Sequence, residues 1–99
     1  MSVHVFVDGD QFPTTGLLAI SFGTSEFSSL HTHLLAITGL YPHIKFIHVD
    51  VNDHPDVTDF FDIISIPTLV LVKEGKTTNK LFGENIKHIQ AALDCLVFF

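Results

Sequence analysis

The sequence predicts an α/β fold in which a central mixed sheet is flanked by helices, and three observations predict it. Segments with strand periodicity alternate with segments of helical spacing along the chain. The C-terminal third carries a hairpin signal followed by an amphipathic stretch, which places two antiparallel strands before a last helix. The 99 residues are 46% apolar, include ten Phe and are only 16% charged, enough to fill the core of one domain but not of two. One domain over 1–99 is therefore expected.

Each element has its own signal. Val3, Val5 and Val7 alternate with His4 and Phe6, a period of two that suits a first strand, and Asp8-Gly9-Asp10 closes it as a turn. Gln11 to Thr15 contains Pro13 and has room for no more than a short helical turn. Leu17 to Phe22 is almost wholly apolar, the pattern of a central strand covered on both faces. From Phe27 the apolar positions Phe27, Leu30, Leu34 and Ile37 have helical spacing, with Thr24 or Ser25 as N-cap and Gly39 as a stop. Ile44 to Val51 reads as a strand, and Pro55 then suits the first turn of a helix, where its missing N–H costs nothing. Val57, Phe60, Phe61 and Ile64 are expected on the apolar side of that helix. Pro67 to Val72 and Thr77 to Phe82 are strands joined through Lys73-Glu74-Gly75-Lys76. Ile86, Ile89, Leu93 and Leu96 mark the last helix.

Composition excludes several classes of function. The net charge is −6 and the five Lys and Arg stand singly, so no basic stripe could neutralise a row of phosphates, and nucleic acid is not expected as a partner. The longest apolar runs fall far short of the roughly 20 residues that span a bilayer, and nothing resembles a signal peptide. No membrane partner is expected, and the reading is a soluble, cytoplasmic protein. Cys95 is the single cysteine, which rules out an intramolecular disulfide and any zinc site built from several thiolates. In the apolar last helix it is expected to be a small buried hydrophobe.

Particular residues narrow the fold. Phe46 to Asn52, a helix, and then Ile64-Ser65-Ile66-Pro67-Thr68-Leu69-Val70-Leu71-Val72-Lys73-Glu74-Gly75-Lys76 resemble the second half of thioredoxin. Ile66-Pro67-Thr68 is similar to that family's hallmark Ile-Pro-Thr, and Gly83 matches its glycine after the last strand. The resemblance runs from about Val3 to Leu96. It implies the thioredoxin fold, with a cis Ile66–Pro67 bond before the fourth strand and the backbone of Ile66 facing the active-site loop, where relatives pair with an extended peptide.

The same resemblance places the Trp-Cys-Gly-Pro-Cys segment of thioredoxins on Thr24-Ser25-Glu26-Phe27-Ser28, so both redox cysteines are serine. Dithiol-disulfide exchange needs a thiolate, favoured at a helix N-terminus; a serine hydroxyl stays protonated and forms no disulfide. The buried acid of the family corresponds to Ala19, its tryptophan to Thr24 and its auxiliary lysine to His48, so the proton-handling residues are replaced as well. Ser25 and Ser28 with His31 could suggest a nucleophile and base, yet no orienting acid is evident and both serines suit a helix N-terminus. His31 and His33, two apart on a helix, point to different faces, so solvated or packed histidines are expected rather than metal ligands. No catalytic residue, metal or cofactor is expected. What the resemblance implies is a non-catalytic domain that binds a protein or peptide partner in a groove lined by Thr24, Ser25, Phe27, Ile66, Pro67 and Gly83. Inactive thioredoxin domains have this role in multidomain monothiol glutaredoxins and in phosducin-like proteins. The alternative is an oxidoreductase whose active-site cysteines have been replaced by Ser25 and Ser28.

Overall fold

In the computed structural model, the described residues are 3–24, 29–83 and 85–98. The elements run β1 (His4–Val5), β2 (Leu17–Gly23), α1 (Ser29–Ile37), a 3-10 turn (Thr38–Leu40), β3 (Ile44–Asp50), α2 (Pro55–Phe60), β4 (Thr68–Lys73), β5 (Lys76–Phe82) and α3 (Ile86–Phe98). The sheet order is β1-β3-β2-β4-β5. β1 and β2 both lie parallel to β3, whereas β4 is antiparallel to β2 and to β5. The sheet is thus mixed, as the sequence predicts. The apolar run of β2 ends up in its centre, where Ala19 faces Phe46 on one side and Leu71 on the other.

Alternation along the strands divides the core in two. On one face Ala19, Phe46, Leu69 and Leu71 meet Leu30 and Leu34 of α1 and Ile89, Leu93 and Leu96 of α3. On the other, Leu18, Ile20, Phe22, Ile47, Val49, Val70 and Val72 meet Phe6, with Phe12, Val57 and Phe61 packed around them. α2 is short, and the segment after β1 completes its layer: Phe12 stacks on Phe6 at 4.7 Å and meets Phe61 edge-on at 5.6 Å. No helix forms between Gln11 and Thr15.

Four expectations are corrected by this packing. Strand one holds only His4 and Val5, and Val5 and Val7 are exposed, because β1 is an edge strand and the chain leaves the sheet after Phe6. Val3 and Phe6 are the buried anchors there, one in each half of the core, and the Phe6 N–H donates to the His48 carbonyl at 2.8 Å. α2 stops at Phe60, and Asp62 takes a left-handed φ of 54°. Helical spacing therefore does not extend to Ile64: Phe60 is 79% and Ile64 87% exposed, leaving Val57 and Phe61 as the packed pair. Cys95 is exposed, not buried. It lies two residues on from Leu93, about 200° around the helix, and so faces away from the stripe of Ile89, Leu93 and Leu96. The strands of the hairpin begin at Thr68 and Lys76, one residue later and one earlier than read from the sequence.

The hairpin turn explains its own residues. Glu74 and Gly75 have φ of 51° and 80°, the pair of left-handed conformations that a two-residue turn between twisted strands requires. A side chain at Gly75 would come within 3.1 Å of the Thr14 carbonyl oxygen. The Glu74 carboxylate accepts from the Gly16 N–H at 3.1 Å and the Glu74 N–H donates to the Gly16 carbonyl at 2.9 Å, which ties the turn to the start of β2. In β5 the pairing jumps from Asn79 to Thr77, leaving Thr78 as a bulge whose hydroxyl donates to the Leu71 carbonyl at 3.2 Å.

Tyr41, the only tyrosine, closes the end of the core below α3. Its hydroxyl donates to Asp94 at 2.7 Å. Burial first, and then the carboxylate of Asp94, pushes the phenol up to about 12. A raised phenol stabilises the fold fully below the unfolded value near 10, and that contribution is lost as the pH climbs through 12. Absorbance of tyrosinate near 295 nm is expected to show a midpoint close to 12 in the native protein and close to 10 in urea. A native midpoint at 10 would contradict the burial.

Candidate functional site

Three chain segments converge at the end of the sheet where β2 finishes. Phe22 pairs with Thr68 and Thr68 with Phe82, so Thr24, the Ile66–Pro67 peptide and Gly83 each lie one or two residues beyond a paired position at this end of the sheet. Pro67 and Gly83 are joined by a hydrogen bond from the Gly83 N–H to the Pro67 carbonyl at 3.0 Å. The Ile66–Pro67 peptide is cis. Thr68 is fully buried, and its hydroxyl donates to the Ser65 carbonyl at 2.7 Å, bracing the loop from below. Gly83 has a φ of 89°, a conformation open to glycine and strained for other residues.

Above this brace Ile66 is 45% exposed, Thr24 is exposed, and Pro67 and Gly83 are half-buried. The structure therefore brings together four of the six groove residues expected from the sequence. Ser25 and Phe27, with Ser28, lie outside the described residues.

Beneath the junction of β2 and α1 is a polar group that the sequence reading did not assemble. Ser21 and His48 are register partners on β2 and β3, both buried, with Ser21 Oγ hydrogen-bonded to His48 Nδ1 at 2.9 Å and 3.5 Å from the Ile47 carbonyl. With the proton on Nδ1, the imidazole donates to the hydroxyl and the hydroxyl to the carbonyl. His31, from α1, is also buried and meets His48 edge-on at 5.5 Å. His33 is exposed, so the two helix histidines do face different ways. Burial of His31 against His48 places that imidazole in the core. Ser21 carried no motif of its own; only strand register pairs it with His48.

Ala19, at the position of the family's buried acid, is 0% exposed and lies among apolar side chains. Among the described residues, no group of three or more His, Cys, Asp or Glu is arranged to hold a metal ion. The one thiol of the chain, Cys95, lines a groove with Leu71, Lys73 and His88. Lys73 pairs with Leu17 at the start of β2, so this groove lies at the opposite end of the sheet from Thr24.

A mixed sheet in this order, with two helices on one face and a short one on the other, defines the thioredoxin fold. The family model for thioredoxin matches residues 26–94, and the chain belongs to the thioredoxin family. It is 32% identical over 56 residues to mitochondrial thioredoxin-3 of Saccharomyces cerevisiae, an alignment covering 57% of this chain and 44% of that protein. It is 24% identical over 53 residues to monothiol glutaredoxin-4 of the same yeast, covering 54% of this chain and 22% of that protein. Among solved structures, the thioredoxin of Malassezia sympodialis superposes with a TM-score of 0.83 at 26% identity, over 95% of this chain and 90% of that one. The chain spans about half the length, or less, of the curated relatives it matches. Among the described residues no helix is long and apolar enough to cross a membrane.

Proposed function

We propose that this chain is a redox-inactive thioredoxin-like interaction domain, which binds an extended peptide of a protein partner at the groove of Thr24, Ser25, Phe27, Ile66, Pro67 and Gly83. The observation that carries the proposal is the half-exposed Ile66 on a loop braced by Thr68 and Gly83, in a chain whose sequence has serine at both redox positions. A peptide laid against Ile66 gains backbone hydrogen bonds at a preformed edge, and Ile66 supplies an apolar contact. Nothing in that exchange needs a thiolate. Replacement of the acid and lysine positions by Ala19 and His48 agrees with binding retained and catalysis lost. The partial match to monothiol glutaredoxin-4 supports a further point, that the domain serves as one module of a longer protein whose redox chemistry resides elsewhere.

The names of the thioredoxin relatives favour a second reading, an oxidoreductase whose cysteines have been exchanged for serine. Two variants separate the readings. The double variant Ser25→Cys/Ser28→Cys is expected to reduce a disulfide substrate no faster than background, because the buried acid and the lysine remain absent. Turnover at the rate of an ordinary thioredoxin would overturn the proposal and favour the enzyme. Ile66→Asp, at an exposed position, is expected to weaken partner capture about thirtyfold, the effect of losing a hot-spot contact of about 2 kcal/mol. Unchanged capture would remove the groove from the function.

A further inference from the structure

β5 ends the sheet order, so among the described residues one side of it has no neighbouring strand. The hydrogen bond from the Gly83 N–H to the Pro67 carbonyl shows which backbone groups face that side. It flanks the pair Thr68–Phe82 rather than joining it, and by alternation the pair Val70–Lys80 is of the same kind. The backbone N–H and carbonyl of Lys80 and of Phe82 therefore point away from β4, to the outer edge. The Lys80 N–H meets an acceptor there, the side-chain carbonyl of Asn79 at 2.9 Å. That oxygen stands in for the backbone carbonyl that an added strand would bring. Toward the turn, the Thr78 bulge interrupts the ladder and confines the open stretch to Asn79–Phe82.

Side chains frame this stretch on both faces of the sheet. Lys80, across from Val70, and Phe82, across from Thr68, lie on the α2 side, which the short α2 leaves open: Phe82 is 59% exposed. Asn79, across from Leu71, lies on the α3 side. There Thr78 and Asn79 share a groove of about 440 Å³ with Lys73 and with His88, Ala91 and Ala92 of α3. The charge here runs against that of the chain. Four of the five lysines, Lys73, Lys76, Lys80 and Lys87, belong to the hairpin or the first turn of α3, although the net charge is −6. The one acid of the hairpin, Glu74, is turned to the Gly16 N–H. Among the described residues no Asp or Glu lines the groove.

We propose that the outer edge of β5 accepts an extended acidic segment of a partner protein as a further strand. A carboxylate of that segment faces Lys80, an apolar side chain faces Phe82, and the alternate side chains turn toward the α3 groove. Main-chain hydrogen bonds supply the attachment, and the side-chain contacts supply the selection. Opposite charges facing each other across strands stabilise a pair, and like charges destabilise it. Lysines on an edge thus turn away a second copy of the same edge and admit an acidic strand. The site is separate from the groove at Ile66 and stands whether or not that groove binds a peptide.

The probe is the peptide acetyl-Thr-Val-Thr-Glu-Thr-Val-Thr-amide, whose Val-x-Glu-x-Val face sets Glu against Lys80 and Val against Phe82 in either strand direction. It is titrated into the full chain at low salt, beside the same peptide with Gln or Lys in place of Glu, and followed by amide chemical shifts. Shifts are expected at Asn79, Lys80 and Phe82, saturating in the millimolar range, with slower hydrogen exchange of the Phe82 amide. The Gln peptide is expected to bind about fivefold more weakly, and the Lys peptide more weakly again. Lys80→Glu is expected to reverse the order of the Glu and Lys peptides. Lys80→Gln reads the lost preference if the reversed charge upsets the fold. Equal binding of the Glu and Gln peptides, or no β5 shift at about 20 mM peptide, would overturn the proposal. Shifts confined to Ile66 and Gly83 would overturn it too, while leaving the groove reading in place. So would β5 shifts that follow protein concentration without peptide, since the occupant would then be a second copy.

Discussion

Phe22→Ala is expected to destabilise the protein by about 3–5 kcal/mol, the range for deleting a fully buried phenyl ring. Phe22 is 0% exposed, sits in the central strand and packs on Phe61 at 5.6 Å, so the rings and strands around it cannot collapse into the space without disturbing both β2 and the end of α2. A domain of this size is held by about 5–15 kcal/mol in total. The variant is therefore expected to lose a third or more of its stability, read as a lower urea midpoint with an unchanged slope. A loss under 1 kcal/mol would show that the α2 layer is loosely packed.

Ala19→Asp is expected to cost about as much, by a different mechanism. The position is fully enclosed by the apolar cluster of Phe46, Leu71 and Leu30. A carboxyl in such a place titrates some 3–5 units above its ordinary value, and each unit corresponds to about 1.4 kcal/mol. The sign follows from linkage: the folded state holds its proton while the unfolded state releases it, so the penalty is least near pH 4, where only the packing and polar-burial cost remains, and grows as the pH rises to 7. Urea melts at pH 4 and pH 7 measure the difference directly. A penalty independent of pH would mean that the new carboxylate finds a charged partner, His48 being a buried basic side chain two register positions away on the same face. The result bears on the proposed function, because a restored cysteine pair would need this acid and the fold now present is packed around its absence.

Much of this could be read along the chain. The run Leu17 to Phe22 has no polar position to offer solvent except Ser21, so it had to be a central strand; Glu74-Gly75, after the apolar run Leu69 to Val72 and before a Thr-rich strand, had to turn; Ile89, Leu93 and Leu96 had to face a sheet. Each of these is a local pattern whose period matches one secondary structure. Loss of the redox pair was equally legible, since it is a matter of residue identity. Val5, Val7, Phe60, Ile64 and Cys95 were misjudged for one shared reason. Apolar character says that a side chain gains by burial, but a neighbour must be there to bury it, and the neighbours are set by sheet edges and by where a helix stops.

The sequence by itself determined the α/β class, the element order, the Ile66-Pro67-Thr68 loop and the absence of a cysteine pair, because these rest on short-range periodicity and on chemical identity. Tertiary structure alone decided which other distant residues meet: Ser21 with His48 and His31, and Phe6 and Phe12 with Phe61 on the α2 side of the sheet. Those meetings join segments up to about 50 residues apart, and only strand register and the packing of both sheet faces bring them within reach.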